Sequence, residues 1–163
     1  MLILAIDPGD RRSAAVVYDT EAQAPKERYT LPNEAILGEI YENAFRANRM
    51  VIEMVACYGM PVGKTVFDTC VWIGRFVEAW MSMLCVIRAE HEFLYRRDVK
   101  MHLCHSMRAK DSNIRQALID RFGAPGTKKA PGTLYGIHAD EWSALAVAVT
   151  WADNVGLFET AEV

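Results

Sequence analysis

The chain lacks the sequence features of a secreted, zinc-binding or membrane protein. Its four cysteines show no paired C-x-x-C spacing, which argues against a zinc site and against a disulfide framework. No apolar run reaches membrane-spanning length without charges, and no basic stretch precedes the apolar N-terminal segment, so we expect neither a membrane helix nor a signal peptide. These absences favour a cytoplasmic protein with reduced thiols.

An overall positive charge is also lacking, since the formal net charge is −3. The charge is unevenly distributed, however. Nine basic and three acidic residues lie between Arg96 and Lys129, which gives this segment a net charge of +6 and the rest of the chain −9. Such asymmetry favours one basic face that contacts phosphates, and a solvated helix surface is the alternative.

The chain has 163 residues and 52% apolar content, which suits a single domain with a sizeable core. It also contains two acidic residues within apolar runs. Asp7 ends the run at residues 2–6 and is followed by Pro8 and Gly9, while Glu53 interrupts the run at 50–56. Carboxylates are rare in core strands unless something pairs with them. A shared metal ion would explain both; for Glu53, an edge-strand position facing water is the alternative.

A third acidic residue, Asp140, precedes a run of small apolar residues at 144–149, which is typical of a helix buried against a sheet. Asp140 suits either the helix N-cap or a ligand role. Ser143 lies one turn further along on the same face.

The pattern predicts ten secondary-structure elements. Strands are predicted at 2–7, 13–19, 27–31, 50–56 and 91–95. Helices are predicted from Pro32, at about 64–88, at 97–104, at 110–122 and at 138–153, with a mobile loop at 123–136.

Three motifs in this order carry a family resemblance: Ile6-Asp7-Pro8-Gly9, Val51-Ile52-Glu53, and Asp140-x-x-Ser143 followed by small apolar residues. Together they resemble the RuvC-like Holliday-junction resolvases of the ribonuclease-H-like nuclease superfamily. Segments 58–64, 108–118 and 134–136 look most like the phage and prophage branch. The resemblance implies an α/β fold with a ribonuclease-H-like mixed five-stranded sheet flanked by helices, over residues 1–153, with 154–163 as a C-terminal tail.

The same resemblance implies a magnesium-dependent, structure-selective endonuclease of the bacterial cytoplasm, encoded by a bacterium or a phage, that cleaves branched DNA such as four-way junctions. Asp7, Glu53 and Asp140 would hold two Mg²⁺ ions, for which Mn²⁺ would substitute, and Lys110 would lie at the scissile phosphate. Ser143 falls where the bacterial resolvases carry a fourth acidic residue. A shifted register would use His138 and Glu141 instead.

DNA contacts and a homodimer are further implications of the resemblance. Tyr58 and Met60 would wedge against bases at the branch point. The expected DNA-binding residues are Tyr58, Met60, Lys64, Arg96, Arg97, Lys100, Arg108, Lys110, Arg115, Lys128 and Lys129. The long helix with Trp72, Phe76 and Trp80 carries more apolar surface than one sheet contact uses, which favours a second subunit; a helix sandwiched within one domain is the alternative.

Other functions remain open from the sequence. A less selective nuclease acting on flaps, forks or RNA–DNA hybrids shares the same acidic residues. A catalytically weak protein that binds branched DNA is favoured if the missing fourth acid matters. An actin-like nucleotide-binding protein would need a second phosphate-binding loop, and the sequence contains no such pattern.

Overall fold

The computed structural model describes residues 1–57, 59, 61–82 and 90–158, with side chains described as far as residue 154. The strands are β1 (Leu2–Asp7), β2 (Arg12–Asp19), β3 (Ala24–Pro32), β4 (Arg49–Met54), β5 (Glu90–Tyr95), β6 (Gly126–Thr127) and β7 (Ala130–Pro131). The helices are α1 (Asn33–Tyr41), α2 (Lys64–Ser82), α3 (Arg96–Cys104), α4 (Asp111–Phe122) and α5 (Glu141–Phe158).

Five strands form one mixed sheet in the order β3-β2-β1-β4-β5. The β1–β2 and β2–β3 pairs are antiparallel, whereas β1–β4 and β4–β5 are parallel. The predicted mixed five-stranded sheet flanked by helices is therefore confirmed. Because β1 and β4 are parallel neighbours, their carboxyl ends meet at one edge of the sheet.

Each face of the sheet is covered by helices because side chains alternate along every strand. Ile3 and Ala5 belong to the core shared with α3, α4 and α5, whereas Leu4 and Ile6 belong to the core shared with α1 and α2. Six residues in a row on α5, 144–149, are fully buried, and three of them are alanines. These small side chains let the helix backbone lie close to the sheet.

Helix α2 has two different faces. Phe76 and Trp80 are buried in the core of the subunit, and the Trp80 indole N–H donates to the main-chain oxygen of Glu90 at 3.1 Å. Phe67 and Val71 remain 59% and 62% exposed. The apolar surplus predicted for this helix is real, but Phe76 and Trp80 stabilise the monomer, and other residues form the outward face.

Several predicted boundaries differ from the structure. Strand β3 begins at Ala24, three residues early, because it pairs with β2 as far as Asp19. The hairpin β6–β7 lies within the loop predicted at 123–136. Helix α5 begins at Glu141 and continues to Phe158, beyond the predicted end at residue 153. Residues 159–163 lie outside the described residues, and so does the predicted end of α2 at residue 88. The domain limits stay predictions.

In the part of the chain that the structure describes, none of the helices combines the length and the apolar character needed to cross a membrane.

Candidate active site

Asp7 and Glu53 lie side by side at the carboxyl ends of β1 and β4. The register pairs Ile6 with Ile52, so the two carboxylates follow the last pair of the ladder. Ala5 and Val51, two residues before each acid, are buried in the core on the α5 face. The two-residue period of a strand therefore turns both carboxylates towards α5.

The turn after Asp7 is held by a buried hydrogen-bond network. The Gly9 N–H donates to Ser13 Oγ at 3.2 Å, the Ser13 hydroxyl donates to Asn33 Oδ1 at 2.7 Å, and Asn33 Nδ2 donates to the Gly9 carbonyl at 3.0 Å. A Cβ atom at Gly9 would lie 2.3 Å from the carbonyl oxygen of Arg12. Only glycine fits there, so the chain turns away sharply and leaves space beside Asp7.

Asp140 precedes α5 with its carboxylate exposed. Its main-chain oxygen accepts the N–H groups of Ser143 and Ala144, at 2.9 and 3.1 Å. Asp140 therefore occupies the N-cap position of α5, but its side chain accepts no backbone N–H from any described residue, so it does not make the side-chain hydrogen bond of a cap. Across from it, the Ser143 hydroxyl faces the Asp7 carboxylate and favours its charged form.

Glu141 points elsewhere. It is 7% exposed, and its carboxylate accepts the His138 N–H at 2.8 Å and the Thr30 hydroxyl at 3.2 Å. Glu141 thus joins α5 to β3, while Asp140 and Ser143 lie towards Asp7. This geometry agrees with the register that uses Asp140 and Ser143, and not with the one that uses His138 and Glu141.

Both strand-end carboxyl groups resist ionisation. Burial raises the pKa of Asp7 to about 7, with a further rise from the charge of Glu53, while Arg96 opposes the rise. The charge of Asp140 also raises the pKa of Asp7, so Asp140 lies close enough to act on the same site as Glu53. Burial raises the pKa of Glu53 as well, against the opposing effect of Arg96. Groups of this kind favour the uptake of a cation that compensates their charge.

Arg96 lies between the acidic groups. One guanidinium nitrogen donates to Glu53 Oε2 at 3.1 Å, and another contacts Asp111 Oδ1. Two cavities of about 350 Å³ each open on either side of it. Asp7 and Glu53 line the first, Asp140 and Ser143 line the second, and Arg96 lines both.

The donor set suits a hard divalent cation, because carboxylate and hydroxyl oxygens are the ligands that Mg²⁺ prefers. Asp7 and Glu53 are the residues best placed to hold one. Within the described ranges, no three His, Cys, Asp or Glu side chains are grouped closely enough to hold a metal ion together. The three-carboxylate site that includes Asp140 therefore stays a prediction.

Lys100 is better placed to act at the acidic site than Lys110, the lysine predicted at the scissile phosphate. Lys100 lies on α3 and its charge acts on Glu53. It also lines a small cavity of about 180 Å³ together with Arg96, Arg97 and Met107. Lys110 is exposed immediately before α4, where its N–H donates to Asn113 Oδ1 at 2.9 Å, and its side chain lines neither acidic cavity.

The predicted DNA-binding residues are spread over several surfaces. The Arg115 guanidinium lies 4.7 Å from the centre of the Trp142 ring, beside Asp140. Arg97 pairs with Asp98, and Lys64 pairs with Asp68. The exposed remainder comprises Arg108 and Lys110 on the connection from α3 to α4 and Lys128 and Lys129 at the tip of the β6–β7 hairpin. Tyr58 and Met60 lie outside the described residues.

Two site residues were not predicted from the sequence, Asp111 and Trp142. In the sequence, Asp111 is one of three acids in a basic segment, and only its contact with Arg96 in the structure distinguishes it. Arg121, one of the nine basic residues of the predicted basic face, is neutralised within the fold. Its guanidinium donates to both carboxylate oxygens of Asp153, at 2.5 and 2.8 Å.

Comparisons with known proteins agree with this architecture. No family model and no curated protein matches the chain. Thermus thermophilus RuvC superposes with a TM-score of 0.70 at 18% identity, and RuvC in complex with Holliday junction substrate with 0.64 at 17%, each over 96% of both chains. The yeast mitochondrial Holliday junction resolvase Ydc2 gives 0.56 at 8% identity, over 97% of this chain and 83% of its own. The chain therefore has the RuvC fold, a ribonuclease-H-like α/β architecture.

Proposed function

We propose that this protein is a structure-selective endonuclease that hydrolyses phosphodiester bonds in branched DNA such as Holliday junctions. The observation that carries the proposal is the pair Asp7 and Glu53 on adjacent parallel strand ends, with Asp140 and Ser143 beside them. The pair occurs on a fold shared with a RuvC that has been described in complex with Holliday junction substrate.

In this proposal, Asp7, Glu53 and Asp140 hold divalent cations, Mg²⁺ or Mn²⁺, with Ser143 at the fourth position. Bound in pairs, such ions neutralise charge on the phosphate and lower the pKa of a bound water. Asp7 has to release its proton to act as a ligand, and the Ser143 hydroxyl favours the charged form. Lys100 places a positive charge beside Glu53, where it can attract the phosphate.

We assign binding of the duplex arms to the exposed arginine and lysine side chains. Arg115, fixed over Trp142, is directed to the phosphate next to the reacting one, because it lines the same cavity as Asp140. Lys128 and Lys129 reach further out. Tyr58 and Met60 keep their proposed role at the branch point. Two symmetric cuts in a junction need two active sites, so we propose a homodimer that uses the outer face of α2.

A second candidate is a protein that binds branched DNA and cleaves it poorly. Ser143 favours it, because a hydroxyl is a weaker ligand than the carboxylate expected at that position. The Arg96–Glu53 ion pair also favours it, since it engages one of the acids.

The test is a cleavage assay on synthetic junction, fork, linear duplex and RNA–DNA hybrid substrates, with Mg²⁺ or with EDTA. We expect paired symmetric nicks in the junction with Mg²⁺ only. Asp7→Asn should abolish cleavage and leave junction binding intact, because the lost charge acts mainly on the transition state. Junction binding without cleavage by the unmodified protein would establish the second candidate, and preferential cleavage of hybrids or flaps would indicate a different nuclease.

A further inference from the structure

We propose that Arg96 is a built-in counter-cation that competes with a divalent cation for Glu53 and is held aside by Asp111 when the cation binds. This makes Arg96 a positioning residue that sets how strongly the site takes up metal. The inference rests on the proposed function, because it concerns the same acidic site.

The position of Arg96 follows from the sheet. Strand β5 pairs with β4 in parallel, with Leu94 opposite Glu53, and Arg96 begins α3 immediately after β5 ends. Its side chain therefore emerges beside the end of β4. Among the described residues, no other cation forms a hydrogen bond or an ion pair with Glu53.

The two carboxylates that Arg96 contacts differ in exposure. The Glu53 side chain is 14% exposed, whereas the Asp111 side chain is 81% exposed. Asp111, at the start of α4, binds a second nitrogen of the same guanidinium. When Arg96 leaves Glu53, one ion pair remains at the solvent-facing side, so the guanidinium is not left without a partner. An unpaired buried charge would make the displacement costly.

A divalent cation and the guanidinium compete for the same carboxylate. Both need the Glu53 oxygens that face the cavity shared with Asp7, and their like charges repel each other at short range. Arg96 also lines the second cavity, with Asp140, so one side-chain movement would open the space between the two acidic groups.

Competition of this kind weakens the apparent affinity for the cation. The apparent dissociation constant equals the intrinsic constant divided by the fraction of molecules in which the site is free. If Arg96 holds Glu53 in about nine molecules of ten, the affinity for metal falls about ten-fold.

A phosphate contact, the role expected from the basic sequence segment, is the competing explanation for Arg96. As a phosphate contact alone, Arg96 would affect DNA affinity and its salt dependence, and the affinity for metal would not depend on it. The affinity for Mn²⁺ without DNA therefore separates the two roles.

The experiment measures Mn²⁺ binding to the full-length, EDTA-treated and desalted protein by electron paramagnetic resonance, with no DNA present. Arg96→Met should bind Mn²⁺ about ten-fold more tightly, because the competitor is gone. Asp111→Asn should bind it several-fold more weakly, because Arg96 is then held by Glu53 alone. Arg46→Met, at an exposed arginine outside the proposed DNA surface, and Asp98→Asn, on the same helix as Arg96, are the charge-matched controls, and each should change the affinity less than two-fold.

The double variant Arg96→Met with Asp111→Asn gives the sharpest result. If Asp111 acts through Arg96, the double variant should bind Mn²⁺ as tightly as Arg96→Met alone. Additive effects would mean that the two charges act separately through space, and they would overturn the inference. If Arg96→Met does not fold, Asp111→Asn decides by itself: an affinity that matches the Asp98→Asn control would overturn the inference.

Failure of the inference is distinguishable from failure of the proposed function. Mn²⁺ binding that Glu53→Gln abolishes and Arg96→Met leaves unchanged would overturn the role of Arg96 and keep the nuclease site. If the unmodified protein binds no Mn²⁺ but Arg96→Met does, the inference is supported. If neither binds it, both the inference and the metal site of the proposed function fail.

Discussion

Asp7 couples the stability of the protein to pH. In the folded protein, burial raises the pKa of Asp7 to about 7, whereas the ordinary pKa of an aspartic acid is 3.8. Between these two values the folded state binds more protons than the unfolded state, so stability must fall as pH rises. The loss should be complete above about pH 7 and amounts to about 4 kcal/mol at most.

We therefore expect Asp7→Asn to be more stable than the unmodified protein at pH 8 and nearly equal to it at pH 4. Urea unfolding in EDTA at a series of pH values measures this difference. Adding Mn²⁺ should stabilise only the unmodified protein, since its ligand is intact. Parallel pH profiles for the two proteins would contradict the burial argument for Asp7.

Ser143 and Glu141 are close in sequence and should respond in opposite ways. Glu141→Gln weakens the acceptor for the His138 N–H and the Thr30 hydroxyl, so we expect a loss of about 1–2 kcal/mol in stability and little change in cleavage per folded molecule. Ser143→Asp adds a carboxylate beside Asp7 and should raise Mn²⁺ affinity. Glu141→Gln that folds normally but no longer cleaves would reverse these roles.

The β6–β7 hairpin is the element that separates DNA affinity from stability. Lys128 and Lys129 are exposed at its tip, away from the buried clusters. Replacing both with Ala should weaken binding to junction and duplex about equally. The negative slope of log affinity against log salt concentration should become shallower by about 2. The melting temperature should not change.

Titrations at two salt concentrations test this prediction, with Lys26→Ala as the control. Lys26 is an exposed lysine on β3 that pairs with Asp19. An unchanged affinity in the double lysine variant would remove the hairpin from the DNA surface.

The exposed apolar face of α2 determines the oligomeric state that we expect for the protein. Phe67 and Val71 are one helical turn apart, and both are exposed. Val71→Glu should convert the proposed dimer into a monomer, because it places a charge in the interface core. Light scattering measures the mass, and Met101→Glu, at another exposed apolar side chain, is the control. A monomeric unmodified protein, unaffected by junction DNA, would contradict the dimer.

Local sequence patterns were sufficient to predict most of the helices and strands, whereas the ribonuclease-H-like arrangement was implied by the family resemblance. Alternating and continuous apolar runs predicted all five strands of the main sheet, and the small-residue run predicted α5, because burial period and side-chain size are local properties. They also singled out Asp7 and Glu53, since an acid within a core strand is visible without a structure. Helix ends and the β6–β7 hairpin were less accurate, because pairing with distant strands and packing on the core decide them.

Which groups meet was decided by the tertiary structure. The sequence by itself determined that Asp7, Glu53 and Asp140 are unusual, but the strand order brings the first two side by side, and α5 brings Ser143 to Asp7 while it turns Glu141 to β3. The sequence predicts a phosphate contact for Arg96, whereas β5 and α4 place it between Glu53 and Asp111. Contacts between residues on different helices and strands depend on how those elements pack, and no local pattern encodes that packing.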